Sequence, residues 1–148
     1  MVQNYLKTYQ KDDIENIWPE LVPLIKKVLK KHEKDYTLES IKEMLLNQEV
    51  QLWTSYNEQI EAFVLTHIAI YPKHKICDIF MCGGSNLGNW LEFMEHIKIW
   101  ARSLDCKSIR FQGRKGWKRI FPDFKQTKII MEEELWADPQ RHQLQQLK

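Results

Sequence analysis

The sequence predicts an α+β domain in which a mixed sheet is layered with helices. Three observations predict it. Residues Ile60 to Ile70 read with period two, as a strand does, placing Ile60, Ala62, Val64, Thr66, Ile68 and Ile70 on one face and Glu61, Phe63, Leu65, His67 and Ala69 on the other. Trp90, Phe93, Met94, Ile97, Trp100, Ala101 and Leu104 recur at helical spacing and make one apolar stripe, with Glu92, Glu95, Lys98 and Arg102 outside it. Turn-forming residues separate such segments, so the elements run α, α, β-hairpin, β, glycine loop, α, β, short α, β.

Asn4 to Gln10 alternate weakly and suggest an edge strand. Asp12 and Asp13 suit a helix N-cap, and Ile14, Ile17, Trp18, Leu21, Leu24, Ile25, Val28 and Leu29 follow at helical spacing. Pro19 and Pro23 predict a short first turn and a helix restarted near Pro19, because proline is tolerated in a first turn. Lys26 to Asp35 carries five lysines and reads as a solvated helix face. Thr37 caps a second helix holding Ser40, Ile41, Met44 and Leu45.

Val50 to Tyr56, a turn at Asn57-Glu58 and the run from Ile60 form an antiparallel hairpin. After a turn at Tyr71-Pro72-Lys73-His74, Lys75 to Cys82 is the third strand, with Ile76, Asp78, Phe80 and Cys82 opposite Cys77, Ile79 and Met81. Gly83 to Asn89 is a loop, followed by the striped helix, a strand over Ser108 to Gln112, a short helix within Gly113 to Phe121 and a last strand over Lys125 to Leu135. Residues 1–135 are expected to form one domain, and the polar, glutamine-rich residues 136–148 a fraying tail.

The chain has 148 residues and a net charge of +2, from 22 basic and 20 acidic side chains. That balance excludes a polybasic nucleic-acid module and argues against a nucleic-acid partner. A hydrophobic fraction of 43% with 11% aromatic residues excludes a disordered chain. No stretch approaches the ~20 apolar residues of a membrane span, and the N-terminal residues lack the apolar block of a secretion signal. Cys77, Cys82 and Cys106 are odd in number and make no C-x-x-C pair, which suggests a reducing, cytoplasmic setting. The five histidines form no helical i, i+4 pair, so no metal site is expected.

Strand, glycine-containing loop and helix follow one another over residues 76–104. A helix start leaves backbone N–H groups unpaired, and with the helix dipole they attract an anion. Gly83, Gly84 and Gly88 would let a phosphate approach them; equally, a β-to-α turn can need glycines for its own geometry. No G-K-[ST] ending makes this a Walker loop, and the spacing is not that of a dinucleotide fingerprint.

Ile17-Trp18-Pro19, Tyr36-Thr37-Leu38-Glu39, Gln51-Leu52-Trp53, Tyr71-Pro72, Gly83-Gly84, Trp90, Trp100-Ala101-Arg102, Cys106, Gly113-Arg114-Lys115-Gly116-Trp117 and Glu134-Leu135, in this order, carry a resemblance. Over roughly residues 4–135 the chain resembles the GCN5-related N-acetyltransferase (GNAT) superfamily, and more narrowly a small bacteriophage branch of it. The resemblance implies a mostly antiparallel central sheet with helices on both faces. It also implies acetyl-CoA as cofactor and a small-molecule or protein amine as acceptor. Phe80, Met81 and Cys82 would face the pantetheine, and Asn86, Leu87, Gly88 and Asn89 would offer amides to the pyrophosphate. The superfamily pattern Gln/Arg-x-x-Gly-x-Gly/Ala reads here Ser85-Asn86-Leu87-Gly88-Asn89-Trp90, in which the central glycine matches. The tyrosine that many relatives carry on the helix after the fourth core strand is absent from residues 115–121. These departures motivate an alternative: a non-catalytic GNAT-fold protein with a degenerate cofactor site, bound to a phage or host partner or to the virion.

Acetyl transfer to an amine requires a base. Asp78, on the strand before the loop, is the candidate, against the reading of an exposed strand carboxylate. His67 reads as a packed or hydrogen-bonded histidine. Arg114 and Trp117 would recognise a phosphate or carboxylate, or else belong to a turn whose cations lie in water.

Overall fold

A computed structural model describes residues 5–31, 35–85, 90–112 and 117–136, with the backbone alone at 5–8, 90, 117 and 118. The chain divides into two compact units, Met1–Gly116 and Trp117–Lys148. In the first, strands β1 (Tyr5–Thr8), β2 (Gln51–Asn57), β3 (Gln59–Ile70), β4 (Lys75–Gly84) and β5 (Ser108–Phe111) lie side by side in that order. The first four pair antiparallel and β4 pairs with β5 parallel, so the sheet is mixed, as predicted. A parallel neighbour needs a crossover, and α3 (Trp90–Ser103) lies between these two strands in the chain.

Helices α1 (Lys11–Leu29) and α2 (Leu38–Leu46) cover one face. Their buried Ile14, Leu21, Ile25, Ile41 and Leu45 form a single core with Leu52, Phe63, Leu65 and Met81 of the sheet. At about 25 cal/mol per Å² of apolar surface, such burial is the main force holding the layers together. Trp53 pairs with Val64 and therefore points to the opposite face, where its indole meets Trp100 of α3 edge-on at 5.3 Å. Its Nε1 donates to Thr66 Oγ1 at 3.1 Å, and that hydroxyl donates to Gln51 Oε1 at 3.0 Å, which satisfies a buried polar row. Phe93, Met94, Ile97 and Ala101 supply the buried stripe of α3, while Leu104, placed in that stripe by its spacing, lies past the helix end and is exposed.

Four other expectations are corrected. The first helix runs unbroken through Pro19 and Pro23 from Lys11. Both prolines sit on the exposed side, so the carbonyls of Glu15 and Pro19 that they leave without a helical donor face water, and packing of the other side holds the helix together. Gln10 is its N-cap, with Asp12 and Asp13 in the first turn, where the helix dipole favours acidic groups. The strand expected over Lys125 to Leu135 is not formed. A strand exists only within a ladder, and here Ile129, Ile130 and Met131 are exposed instead of covered. The alternation of β4 also breaks, as described below. Thr37, by contrast, caps α2 as predicted, accepting from Ser40 N at 3.0 Å while Ser40 Oγ accepts from Thr37 N at 2.9 Å.

The second unit opens with α4 (Trp117–Ile120), after which Phe121 and Phe124 pack ring to ring at 5.7 Å. Among the described residues no helix is long and apolar enough to cross a membrane, and no group of three His, Cys, Asp or Glu side chains could hold a metal ion.

The two glycines ending β4 are fixed by packing. A Cβ on Gly83 would overlap Val28 of α1, and one on Gly84, whose φ is +126°, would overlap the backbone of Glu61 and Ala62. Gly83→Ala is expected to cost about 1–3 kcal/mol in denaturant unfolding. Adding Val28→Ala should recover part of that loss; strict additivity of the two changes would refute the contact. Cys77 on β4 is fully buried, which pushes its thiol up to about 12 from an ordinary 9.0. Between those values the native thiol stays neutral while the unfolded one ionises, so its contribution to stability is complete below pH 9 and is lost as pH rises towards 12. Cys77→Ala should therefore be less stable than the parent at pH 7.5, with a deficit that shrinks by pH 10.5. A constant deficit would contradict this account.

Candidate functional site

The site grows from one mismatch in the sheet. β4 pairs with β5 only from Ile76↔Ser108 to Ile79↔Phe111. On its other side β4 stays paired with β3 as far as Gly84, opposite Ala62. Phe80 to Gly84 thus present a backbone edge that no ladder occupies among the described residues. The ladder with β5 ends just before Phe80.

A β-bulge marks the same place. Leu65 opposes Met81 but the next residue, Thr66, opposes Ile79, which leaves Phe80 as the extra residue. The predicted alternation fails here for that reason. Ile79 and Met81 face opposite sides, Met81 joins the core under α1 and α2, and Phe80 packs against that same core. Phe80 also meets Tyr36, in the segment between α1 and α2, at 5.6 Å and the His67 ring edge-on at 5.8 Å. Cys82 opposes Val64, and burial pushes its thiol up to about 11 against the opposing charge of Lys31. Such a thiol is a poor nucleophile at neutral pH.

One register row below the bulge, three polar side chains cross the sheet. His67 on β3 opposes Asp78 on β4, which opposes Arg110 on β5. Arg110 Nε donates to Asp78 Oδ1 at 3.3 Å, and His67 Nδ1 lies 3.6 Å from Asp78 Oδ2. Arg110 also donates to Tyr71 Oη at 3.1 Å and lies over that ring. The Tyr71 hydrogen bond and then the Asp78 carboxylate hold the guanidinium more firmly protonated than usual. Tyr36 is pushed up by burial and by the charges of Asp35 and Asp78, so its hydroxyl stays neutral.

Of the residues singled out in the sequence, Asp78 and Phe80 stand together at the end of the β4–β5 ladder. Met81 and Cys82 follow on the same strand, with their side chains turned inward to opposite layers. Asn86, Leu87, Gly88, Asn89 and Arg114 lie outside the described residues, and Trp117 begins α4 in the second unit. Gly83 and Gly84 belong to β4 itself, where they allow close approach to α1 and β3, in place of the β-to-α turn expected of them. Sequence reasoning missed Arg110 and Tyr71, while His67, read as a packed or hydrogen-bonded histidine, does pack on Phe80. Counting back from the turn at Tyr71–His74 would have put His67 opposite Asp78, because that turn fixes the hairpin register.

The sequence matches no protein-family model and no curated protein. Among solved structures, the chain is similar to a predicted acetyltransferase with acetyl-CoA from Clostridium acetobutylicum, with a TM-score of 0.66 and 13% identity over 92% of this chain and 99% of that one. It is also similar to an aminoglycoside acetyltransferase from an uncultured soil metagenomic sample in complex with sisomicin, at TM-score 0.64 and 12% identity over 89% and 96% of the two chains. A ribosomal-protein-alanine N-acetyltransferase from Brucella melitensis biovar Abortus 2308 gives a TM-score of 0.65 and 7% identity over 88% and 100%. With its mixed five-stranded sheet and helices on both faces, the chain has the GNAT acetyltransferase fold.

Proposed function

We propose that the protein binds acetyl-CoA along the free edge of β4 and transfers its acetyl group to an amine. The observation that carries this reading is the end of the β4–β5 ladder at Ile79, which leaves Phe80 to Gly84 without a ladder on that side among the described residues, beside a loop that leads into α3. Backbone N–H and C=O groups demand partners, and the two amides of a pantetheine arm are chemically suited to supply them. The backbones of Phe80, Met81 and Cys82 would hold that arm. The amides of Asn86 to Asn89 would meet the diphosphate. When bound, acetyl-CoA supplies the acyl group: the acceptor nitrogen forms a C–N bond to the acetyl carbon as the C–S bond breaks, and coenzyme A leaves as the thiol.

The chain's own residues supply a floor and an acceptor-side wall. Phe80 and Tyr36 give an apolar surface next to the bulge, and Asp78 with His67 gives acceptor atoms for an amine's protons. The solved neighbours bound to acetyl-CoA and to sisomicin support the reading. We extend it to a phage-type protein acting in host cytoplasm on a small-molecule or protein amine. A second reading, a non-catalytic GNAT-fold component with a phage or host partner, is favoured by Ser85 and Trp90 where the superfamily pattern has Gln/Arg and Gly/Ala.

Titrating the ¹⁵N-labelled protein with coenzyme A separates the two. Acetyl-CoA use predicts selective shifts of the Phe80 to Gly84 amides at sub-millimolar ligand. Silence at millimolar coenzyme A would refute it and leave the non-catalytic reading.

A further inference from the structure

We infer that His67, and not Asp78, takes the proton from the acceptor amine, and that Asp78 and Arg110 are the pair that positions its ring. The inference rests on the acetyl-transfer reading above and assigns the base within that site.

The argument begins with what Asp78 already does. Its side chain is 15% exposed, and Oδ1 accepts from the Arg110 guanidinium, itself held by Tyr71. That oxygen is engaged by a cation that can only donate, so Asp78 is committed to Arg110. His67 differs on each count. Its side chain is 38% exposed, and its ring is set edge-on against Phe80, the bulge residue just past the end of the β4–β5 ladder. Its Nδ1 faces Asp78 Oδ2 at 3.6 Å, while Nε2 has no hydrogen-bond partner among the described residues. A carboxylate opposite Nδ1 favours the tautomer with hydrogen there, which leaves the lone pair on Nε2.

Around His67 stand Asp78 from β4, Arg110 beyond it from β5, and Phe80, whose ring also meets Tyr36. Of these, Asp78 alone lies within ion-pairing distance of the imidazole, so it is the group that orients the ring. The step balances simply. The ammonium form of the acceptor gives one proton to the Nε2 lone pair, a new N–H bond forms on the ring, and the amine nitrogen is left with a free electron pair. The imidazolium then passes the proton to water.

Two measurements on the full chain test this. In ¹⁵N-labelled protein, neutral His67 should show the Nδ1–H tautomer, and Asp78→Asn should erode that preference; an Nε2–H tautomer in the wild type would overturn the proposal. Steady-state thiol release is then followed with sisomicin, spermidine and an alanine-started peptide as probe amines. On whichever probe turns over, His67→Gln should lower kcat by roughly 10²–10³-fold, leave KM for acetyl-CoA unchanged and remove the acidic limb of the pH–rate profile. Asp78→Asn should lose less. His67→Ala, partly rescued by added imidazole, guards against a folding artefact. A His67→Gln enzyme within about threefold of wild type overturns the assignment while the acetyl-transfer reading stands. A wild type that neither binds coenzyme A nor turns over any probe removes that reading, and the assignment with it.

Discussion

Unequal strand lengths control this structure. β3 has twelve residues and β4 ten, but β5 has only four. Among the described residues, the first half of β4 therefore lies between two partners, and the second half has one. Ordinarily such a half-paired end would fray, since a hairpin of two strands is marginal alone. Here it is held from the other side of the layer: Val28 of α1 sits where a Gly83 side chain would be, and Met81 is locked in the core beneath α1 and α2. The helices make an open edge affordable in a strand that would otherwise need a second neighbour.

The polar row beside that edge follows from the same geometry. The core under α1 and α2 is built from Leu52, Phe63, Leu65 and Met81. His67, Asp78 and Arg110 lie in the next register row, past the bulge, where the face is only partly covered. A part-exposed ion pair contributes little stability, typically less than about 1 kcal/mol. What the pair between Asp78 and Arg110 supplies is direction. Arg110 is tied to Tyr71 at the β3–β4 turn, so the cation that orients the carboxylate is itself held in place.

Much of this was legible in the residues. Period-two alternation fixed β3, and the apolar stripe fixed α3, because both signals are long enough to outlast a local exception. Thr37 with Ser40 announced α2 through a local hydrogen-bond pattern. What stayed hidden depends on partners distant in the chain. The continuity of α1 through Pro19 and Pro23 comes from Ile14, Leu21 and Ile25 packing on the sheet, which local propensity cannot register. The bulge at Phe80 arises between two strands, so alternation within β4 alone runs past it. Lys125 to Leu135 has a strand's composition and lacks a strand's ladder, because composition specifies a face and not a neighbour. Asp78 was found from its position before the loop, but its partners were not, since Arg110 is 32 residues away and meets it only through the parallel pairing.

The placement of side chains along β4 bears on why its edge can recognise a ligand. Met81 is almost fully buried, and Cys82 is buried deeply enough for its thiol to be pushed up to about 11. Both side chains anchor the strand to the layers above and below the sheet. The backbone between them is consequently stiff, although one side of it has no ladder partner among the described residues. A flexible segment must lose conformational entropy when it pairs with a ligand, at roughly 1–2 kcal/mol per residue fixed. A strand already fixed by β3, α1, the buried Met81 and the part-buried Cys82 has lost that entropy on folding. Whatever pairs with Phe80 to Gly84 then gains its hydrogen bonds with little further ordering of the protein, which is the general advantage of a preorganised site. The same rigidity holds Phe80 in place, and with it the His67 ring that packs against it.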